Sequence, residues 1–488
     1  MAANTNLQNG LKIETRHEPG GNHPVPRLPR PARADTLAVL ALLSAAFIVY
    51  SVFWRQAPLM LPDSPTYMSL ARDIEHLHLS HLPSRTPGYP LLLLLTGSEE
   101  KPTRSLFYSS LALHLSAVAM LAYMLYYIGI ARTAVLLFVG LSILPPYVEP
   151  SAYVMSETLC QFTLVLSFTS LLYWLFTQRL VFFWTFAGGA TYTALVRPTY
   201  EILVPLLAIC VLGCFYLGGT FWPSRRRILF CFGFALLLVA IALGGCTYLN
   251  YVRFGYLGTS SIDALTLSHK TVPVLEYLPS SFEPLRSLLI KYRDQLLVTP
   301  FDDHVALHYI HRTLPDARRL FGGDEVQAIK AIRQANIYLI THKPMSYLNE
   351  CLKLLCPYWM PTDYPLANWQ SGRLRIFWAL TQALVILAFL LQATALAGLV
   401  LLYASTRIFS PAQTQTIDEE GIKLLCTHTL GTAVIVYTFL VSCFLGNGVT
   451  RYRAPTDLLI IAACIIGFAI WKRVMFRSVA SNTLVGYK

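Results

Sequence analysis

Long apolar runs separated by short polar connections dominate the chain. A membrane-spanning helix needs roughly 20 mostly apolar residues, and the pattern predicts about ten such segments. They are 36–54, 106–128, 131–147, 157–178, 180–196, 199–219, 228–249, 374–404, 424–446 and 455–472.

Three shorter patterns predict helices that do not span. The run Tyr89–Thr96 is too short to cross a bilayer and predicts a re-entrant or interfacial helix. In Glu283–Leu297, apolar and charged residues alternate at helical spacing, which is typical of a helix on the membrane surface. The segment Asp324–His342 begins with an N-cap residue and ends before Pro344. The predicted fold class is all-α: a polytopic membrane protein with a long, mainly helical outer loop.

Composition supports this fold class. Of 488 residues, 55% are hydrophobic and 13% are charged, whereas soluble proteins carry about 25% charged residues. The net charge of +12 does not indicate nucleic-acid binding, because the basic residues form no stripe with interleaved aromatics. Most of the ten cysteines lie inside apolar runs and are expected to be buried thiols. A disulfide between Cys351 and Cys356, which flank a predicted membrane surface, stays an open alternative.

The basic residues also predict an orientation. If alternate connections are counted from a cytoplasmic N-terminus, the Lys and Arg residues concentrate on the cytoplasmic side, as the positive-inside rule requires. The residues concerned are Arg132, Arg179, Arg225, Arg226, Arg227, Arg407, Lys423, Lys472, Arg473 and Arg477. We therefore expect a multi-pass protein of the cell (inner) membrane with both termini in the cytoplasm.

Four regions follow from this topology. Residues 1–35 are polar, Pro-rich and basic, without the apolar core of a signal peptide, and predict a disordered cytoplasmic tail. Residues 36–249 form an N-terminal transmembrane module whose first outer loop is 55–105. Residues 250–373 form an outer loop region, and 374–488 hold the C-terminal helices and a cytoplasmic tail.

The first outer loop contains two candidate site residues. Asp63 precedes Ser64 and Pro65 and is expected to cap a helix, which competes with a catalytic role. Arg85 lies in a turn rich in Pro and Gly beside the apolar run, where it would either bind an anionic head group or anchor the loop.

Further candidates lie at the outer ends of spans. Glu157 opens a strongly apolar helix, where an acid is costly and often functional, although it also complements the helix dipole. Arg197, Arg451 and Arg453 face outward against the positive-inside trend. Outward arginines suggest an anionic ligand such as phosphate, because guanidinium matches its oxygens bidentately.

Two histidine clusters were considered as metal sites. They are His304, His308 and His311, and His76, His78 and His81. Spacing of i, i+4 can hold a metal, but the usual motif context is absent.

Together these pieces resemble the GT-C superfamily of integral-membrane glycosyltransferases, and most nearly its protein O-mannosyltransferase and aminoarabinose-transferase branches (families 39 and 83). The resemblance covers most of the chain. It lies in Asp63, Tyr67, Ala71-Arg72, Arg85-Thr86-Pro87-Gly88-Tyr89-Pro90, Ser156-Glu157, Arg197-Pro198 and Arg451-Tyr452-Arg453-Ala454-Pro455. Many relatives carry Asp-Glu at the first position, where this chain has Asp63-Ser64, which argues against the protein mannosyltransferases proper.

The resemblance implies a function and a set of roles. The donor would be a sugar on polyprenyl phosphate and the acceptor a lipid, glycan or protein on the outer face, with membrane lipids but no nucleic acid as further partners. Asp63 would be the general base, Glu157 a second catalytic acid, and the transfer would invert the sugar configuration. Substrate and phosphate binding would fall to Tyr67, Arg72, Arg85, Tyr89, Arg197, Arg451 and Arg453. A divalent metal is a candidate cofactor.

Two other functions fit the same pattern. A polymerase or ligase of lipid-linked glycans would also use a long outer loop. A flippase or transporter of lipid-linked sugars would explain the spans and arginines, but it predicts inverted repeats, and no internal symmetry is visible.

Overall fold

The protein is a bundle of α-helices in the computed structural model, which describes residues 32–54, 56–79, 82–218, 223–297, 305–361, 372–409, 419–446 and 448–485. The helices of the transmembrane part before the outer loop region are α1 (Arg33–Phe53), α2 (Ser64–Glu75), α3 (Gly88–Leu95), α4 (Arg104–Tyr127), α5 (Arg132–Ser142), α6 (Pro145–Val148), α7 (Glu157–Thr177), α8 (Leu180–Val196), α9 (Leu203–Gly218) and α10 (Arg225–Phe254). Those that follow are α11 (Ile262–Thr271), α12 (Leu285–Leu297), α13 (Val305–Leu320), α14 (Glu325–His342), α15 (Pro344–Lys353), α16 (Leu355–Trp359), α17 (Gly372–Phe409), α18 (Glu419–Phe444) and α19 (Asp457–Val485). The all-α fold class is confirmed. Within the described ranges, strand-like backbone pairing is limited to one isolated bridge, between Leu59 and Tyr153.

Each of the ten predicted apolar segments forms helix, but not all are full spans. In the described part of the chain, seven helices are long and apolar enough to cross a membrane, and α5 with Pro145–Ala152, bent by 65°, makes an eighth. Helix α8 has 17 residues, or about 26 Å at 1.5 Å per residue, against a hydrocarbon core of about 30 Å. The apolar helical stretch Pro198–Cys214 is similarly short. The expectation of about ten spans therefore included two short helices, and the chain is a multi-pass membrane protein.

Helix α7 lies at the centre of the bundle. Of the residues in the apolar stretch of α7, 78% are buried inside the protein, compared with 17% in the stretch Ile376–Leu396 of α17. Large apolar side chains such as Phe230 and Leu391 are exposed on α10 and α17. On long apolar helices such surfaces face lipid.

Side-chain contacts join the basic connections to neighbouring helix ends. Arg132 forms an ion pair with Asp35 (Nε–Oδ1 2.9 Å). Arg227 donates to the Gln178 carbonyl oxygen over 2.9 Å. The predicted N-terminal tail lies outside the described residues up to residue 31.

Helices α11 to α14 pack around a second apolar core that includes Leu275, Ile310 and Ile332. Two of them were predicted closely, since α12 lies within Glu283–Leu297 and α14 follows an N-cap at Asp324. The Asp324 Oδ1 atom accepts from the Gln327 backbone N–H over 3.0 Å. All ten cysteines are free thiols, with Cys351 buried and Cys356 exposed, so the alternative of a disulfide between them is excluded.

Candidate functional site

Asp63 occupies the N-cap position of α2, but its carboxylate is turned away from the helix. The side chain makes no capping hydrogen bond. Instead Oδ1 pairs with Arg85 Nη2 at 2.8 Å, and Oδ2 pairs with Arg451 Nη2 at 2.5 Å. The predicted capping bond was therefore wrong, and the carboxylate bridges two guanidiniums.

Ser64, rather than the carboxylate of Asp63, holds the loop before α2 in place. Ser64 Oγ accepts from the Leu61 backbone N–H and donates to the Val154 carbonyl oxygen, both over 2.8 Å. The bridge between Leu59 and Tyr153 ties the same loop to the connection before α7. These contacts place Asp63 near the N-terminal end of the central helix, α7.

Arg85 is held by side chains as well as by charge. Its Nε donates to Thr66 Oγ1 over 3.0 Å, and its guanidinium lies 4.7 Å from the centre of the Tyr67 ring. Burial opposes the charged form, but Tyr67 and Asp63 outweigh it and raise the pKa of Arg85 above its usual value. Arg85 is therefore a permanent cation, which suits an anion site.

Helix α3 determines where the turn containing Arg85 sits against α8. A Cβ atom on Gly88 would lie 2.7 Å from the Leu195 carbonyl and the Val196 nitrogen. Tyr192 also donates its hydroxyl hydrogen to the Gly88 carbonyl oxygen over 2.9 Å. This close approach brings the first outer loop beside the end of α8, where Arg197 follows.

Arg451 comes from a 3₁₀ turn, Thr450–Thr456, between α18 and α19. Gly448 precedes it with φ +60°, and a Cβ there would lie 2.5 Å from Leu354 Cβ, so both the backbone angle and the space require glycine. Gln161 of α7 donates to the Ala454 carbonyl oxygen over 2.9 Å. The turn is therefore fixed to the same central helix as the first loop.

Arg197 and Glu157 form a buried ion pair of 3.1 Å (Nη2–Oε1), with side-chain exposures of 9% and 1%. The second carboxylate oxygen of Glu157 has no hydrogen-bond partner among the described residues. The Arg197 guanidinium also lies 5.1 Å from the centre of the Tyr452 ring, which the Arg451 guanidinium approaches to 5.5 Å. The two pairs, Asp63–Arg451 and Glu157–Arg197, thus meet at Tyr452.

A cavity of about 320 Å³ opens at this junction. Five of the nine predicted site residues line it: Asp63, Tyr67, Arg85, Arg197 and Arg451. Its remaining walls come from the turn between α8 and α9, from the C-terminal part of α18 and from α11 with the turn before it.

The structure places the other four predicted residues around the cavity rather than on its lining. Arg72 donates to the Glu99 carbonyl oxygen over 3.2 Å. Tyr89 is buried edge-on to Tyr67, with ring centres 5.0 Å apart. Glu157 lies behind Arg197. Arg453 is buried in an ion pair with Asp457 (2.8 Å) and donates to the carbonyl oxygens of Tyr358 and Met360.

Other cavity residues were not among the predicted site residues. Tyr452 lies within the motif Arg451–Pro455, and Glu201 follows Arg197 by four residues, so proximity to a predicted site residue was the available signal. Ser260, Thr266 and Tyr437 also line the cavity, but no local pattern marks them.

The donor set does not fit a divalent cation. Both oxygens of Asp63 are bonded to guanidiniums. Within the ranges that the structure describes, no three His, Cys, Asp or Glu residues come together as a metal site. His81 and His304 of the histidine clusters lie outside these ranges, as do the side chains of His308 and His311.

No family model matches the chain, and no curated protein matches it. It is similar to the solved structure of archaeal oligosaccharyltransferase AglB from Archaeoglobus fulgidus in complex with an inhibitory peptide and a dolichol-phosphate (11% identity, TM-score 0.44, 92% of this chain and 52% of the other). It is also similar to the apo form of the Archaeoglobus fulgidus oligosaccharyltransferase (13% identity, TM-score 0.43, 91% and 52%).

The chain spans about half the length of these solved structures. Both TM-scores are below 0.5 and both identities are low. The functional proposal below therefore rests on the geometry of the site.

Proposed function

We propose that the protein is an inverting glycosyltransferase of the cell membrane, which moves a sugar from polyprenyl phosphate to an acceptor on the outer face. The observation that carries the proposal is Asp63 held between Arg85 and Arg451 on the wall of the cavity. The family resemblance of the motifs points the same way.

The guanidiniums of this cluster favour a phosphate. Arg85 and Arg451 both contact the carboxylate of Asp63 on the cavity wall. Arg197 lies close by, with its charge largely balanced by Glu157. Guanidiniums bind phosphate oxygens through paired, charge-assisted hydrogen bonds, so a lipid phosphate would compete with Asp63 for Arg85 and Arg451.

That competition gives Asp63 its role. When the donor phosphate takes the hydrogen bonds of the two arginines, an Asp63 oxygen is released to accept the proton of the acceptor hydroxyl. The hydroxyl oxygen then forms a bond to the anomeric carbon, while the bond to the phosphate oxygen breaks. The lipid phosphate leaves with its charge stabilised by the same arginines. A direct displacement of this kind inverts the configuration, and no step is assigned to a metal.

The apolar wall of the cavity suits the lipid part of the donor. Ile202, Leu267, Val441 and Leu445 line it. Ile202 and Leu445 are 56% and 55% exposed at the outer ends of apolar helices. An apolar wall that continues onto a lipid-facing surface supports a substrate that enters from the membrane.

The test is transfer by the purified protein in lipid nanodiscs, with radiolabelled sugars on polyprenyl phosphate. Asp63→Asn keeps the shape but cannot take a proton, and we expect kcat to fall by about 100-fold or more. Arg451→Gln removes a phosphate ligand and should raise KM for the donor by about 10- to 100-fold.

The matched control is Asp73→Asn, because Asp73 lies on the same helix α2 but not on the cavity. It should keep wild-type kinetics. Full activity of the Asp63→Asn protein would rule out the base assignment. Movement of intact lipid-linked sugar across the bilayer without transfer would instead establish a flippase.

A further inference from the structure

The cavity has a second polar end, opposite in character to the arginines. Glu201 lines it after the short 3₁₀ turn Pro198–Tyr200, and Ser260 and Thr266 line it at the start of α11. Glu201 Oε1 accepts from Thr259 Oγ1 over 3.2 Å. A carboxylate and hydroxyl groups therefore face the same space.

The turn that carries Ser260 is held rigidly. Asn250 Nδ2 donates to the carbonyl oxygens of Gly258 and Thr259 over 2.9 and 3.1 Å. The Ser261 backbone N–H donates to the Pro83 carbonyl oxygen over 3.0 Å. This last bond connects the turn to the loop that contains Arg85, so the two polar ends of the cavity are fixed relative to each other.

Ser260 has a hydroxyl that the fold does not use. The residue is fully buried, and its Oγ has no hydrogen-bond partner among the described residues. Leaving a buried polar group unpaired destabilises a protein, and such groups are few in native structures. A hydroxyl that lines a cavity and lacks a protein partner is positioned for a ligand.

The surroundings favour a neutral, hydroxyl-bearing ligand over a cation. Arg85, Arg197 and Arg451 line the same cavity, so its potential disfavours an ammonium group near Glu201. A carboxylate accepts two hydrogen bonds at once, and the Ser260 hydroxyl can both donate and accept. Thr266 donates its hydroxyl hydrogen to the Ile262 carbonyl oxygen over 2.9 Å, so its oxygen is an acceptor for the ligand. Adjacent hydroxyls of a sugar ring match this set.

We propose that Glu201, Ser260 and Thr266 form a subsite for the hydroxyl groups of a neutral sugar ring, next to the phosphate-binding arginines. This inference rests on the proposed glycosyl transfer. It assigns recognition of sugar hydroxyl groups to the second polar end of the cavity. The ring belongs either to the donor sugar or to the acceptor, and the experiment separates these two sources.

The experiment compares binding of two probes to protein in nanodiscs: bare polyprenyl phosphate, and polyprenyl phosphate carrying glucose, galactose, mannose or arabinose. For a donor ring, wild type should prefer at least one sugar-bearing lipid by about 10-fold. Glu201→Gln and Ser260→Ala should each reduce this preference severalfold and leave binding of the bare lipid unchanged. Glu276→Gln, in the outer loop region and outside the cavity lining, is the control.

Ser260→Ala also separates a ligand role from a structural one. Because it removes an unpaired buried hydroxyl, it should leave the melting temperature unchanged or slightly higher. If the ring belongs to the acceptor, the same variants should instead raise KM for the acceptor severalfold and leave donor binding intact.

The two proposals fail in different ways. Wild-type affinities and KM values in both variants, or equal losses on bare and sugar-bearing lipid, overturn the sugar subsite alone. A wild-type protein that binds neither lipid overturns the proposed function, and the subsite with it.

Discussion

At the scale of single residues, the surroundings of a side chain decide its role more than its type does. Asp63 has the sequence context of a helix cap, yet its oxygens go to Arg85 and Arg451 because Ser64 secures the loop. Arg451 and Arg453 are two residues apart in a 3₁₀ turn, where successive residues are rotated by about 120°. One therefore reaches the cavity and the other the core.

Lys270 gives a prediction of pH dependence. It is 2% exposed, and its Nζ donates to the Gly446 carbonyl oxygen over 2.5 Å. Burial lowers the pKa of its ammonium group to about 8, whereas an unfolded lysine titrates near 10.4. Between these values the unfolded chain binds more protons, so this group makes the free energy of unfolding rise with pH.

The measurement is the melting temperature of wild type and Lys270→Met at about pH 7.5 and about pH 9.5. The difference, wild type minus variant, should be more positive at the higher pH. Subtracting the variant removes the contributions of tyrosines and cysteines remote from Lys270, which titrate alike in both proteins. A difference that is constant or falls with pH contradicts the assignment.

At the scale of elements, the sequence predicts the helices well, and their assembly poorly. Apolar length and caps are local properties, so α3, α12 and α14 were recognised within a few residues. The cavity is not local, because it joins residues from the first loop, the turn between α8 and α9, α11, α18 and the last turn. No local sequence pattern therefore marks Ser260 or Tyr437, and Glu201 is marked only by its position near Arg197.

Gly88 gives a prediction for the packing of α3 on α8. Gly88→Ala places a Cβ atom 2.7 Å from the backbone carbonyl of Leu195, which cannot move away without a shift of the α8 backbone. We expect a loss of about 1–3 kcal/mol of stability, as for other overpacked contacts, and reduced transfer because the loop with Arg85 is displaced.

The control is Gly188→Ala in α8, where nothing lies within 4 Å of the added Cβ. It should leave the melting temperature unchanged or raise it slightly, since alanine is the better helix former. Equal melting temperatures for the two variants would show that the contact at Gly88 is not needed.

At the scale of the whole molecule, one end of the bundle is basic and the other holds the cavity. The orientation proposal places the basic end in the cytoplasm and the cavity outside. Two exposed positions test it: Cys356 in α16, on the cavity side, and Arg226 in the triplet that opens α10.

A membrane-impermeant maleimide applied to intact cells should label Cys356, and Cys356→Ser should lose that label. Adding Arg226→Cys to the Cys356→Ser protein should restore labelling only in inside-out vesicles. The reverse pattern would place the cavity in the cytoplasm and end the proposal of an outer-face transferase.

The contact between Asp63 and Arg451 joins residues 388 positions apart. Ribosomes add about 5–20 residues per second, so Arg451 emerges roughly 20–80 s after Asp63. During synthesis Asp63 is therefore joined first by Arg85 and then by the pair of Arg197 and Glu157, and Arg451 comes last. The cavity wall is completed only when the last two helices insert, so a nascent chain, or one truncated before Arg451, lacks this guanidinium.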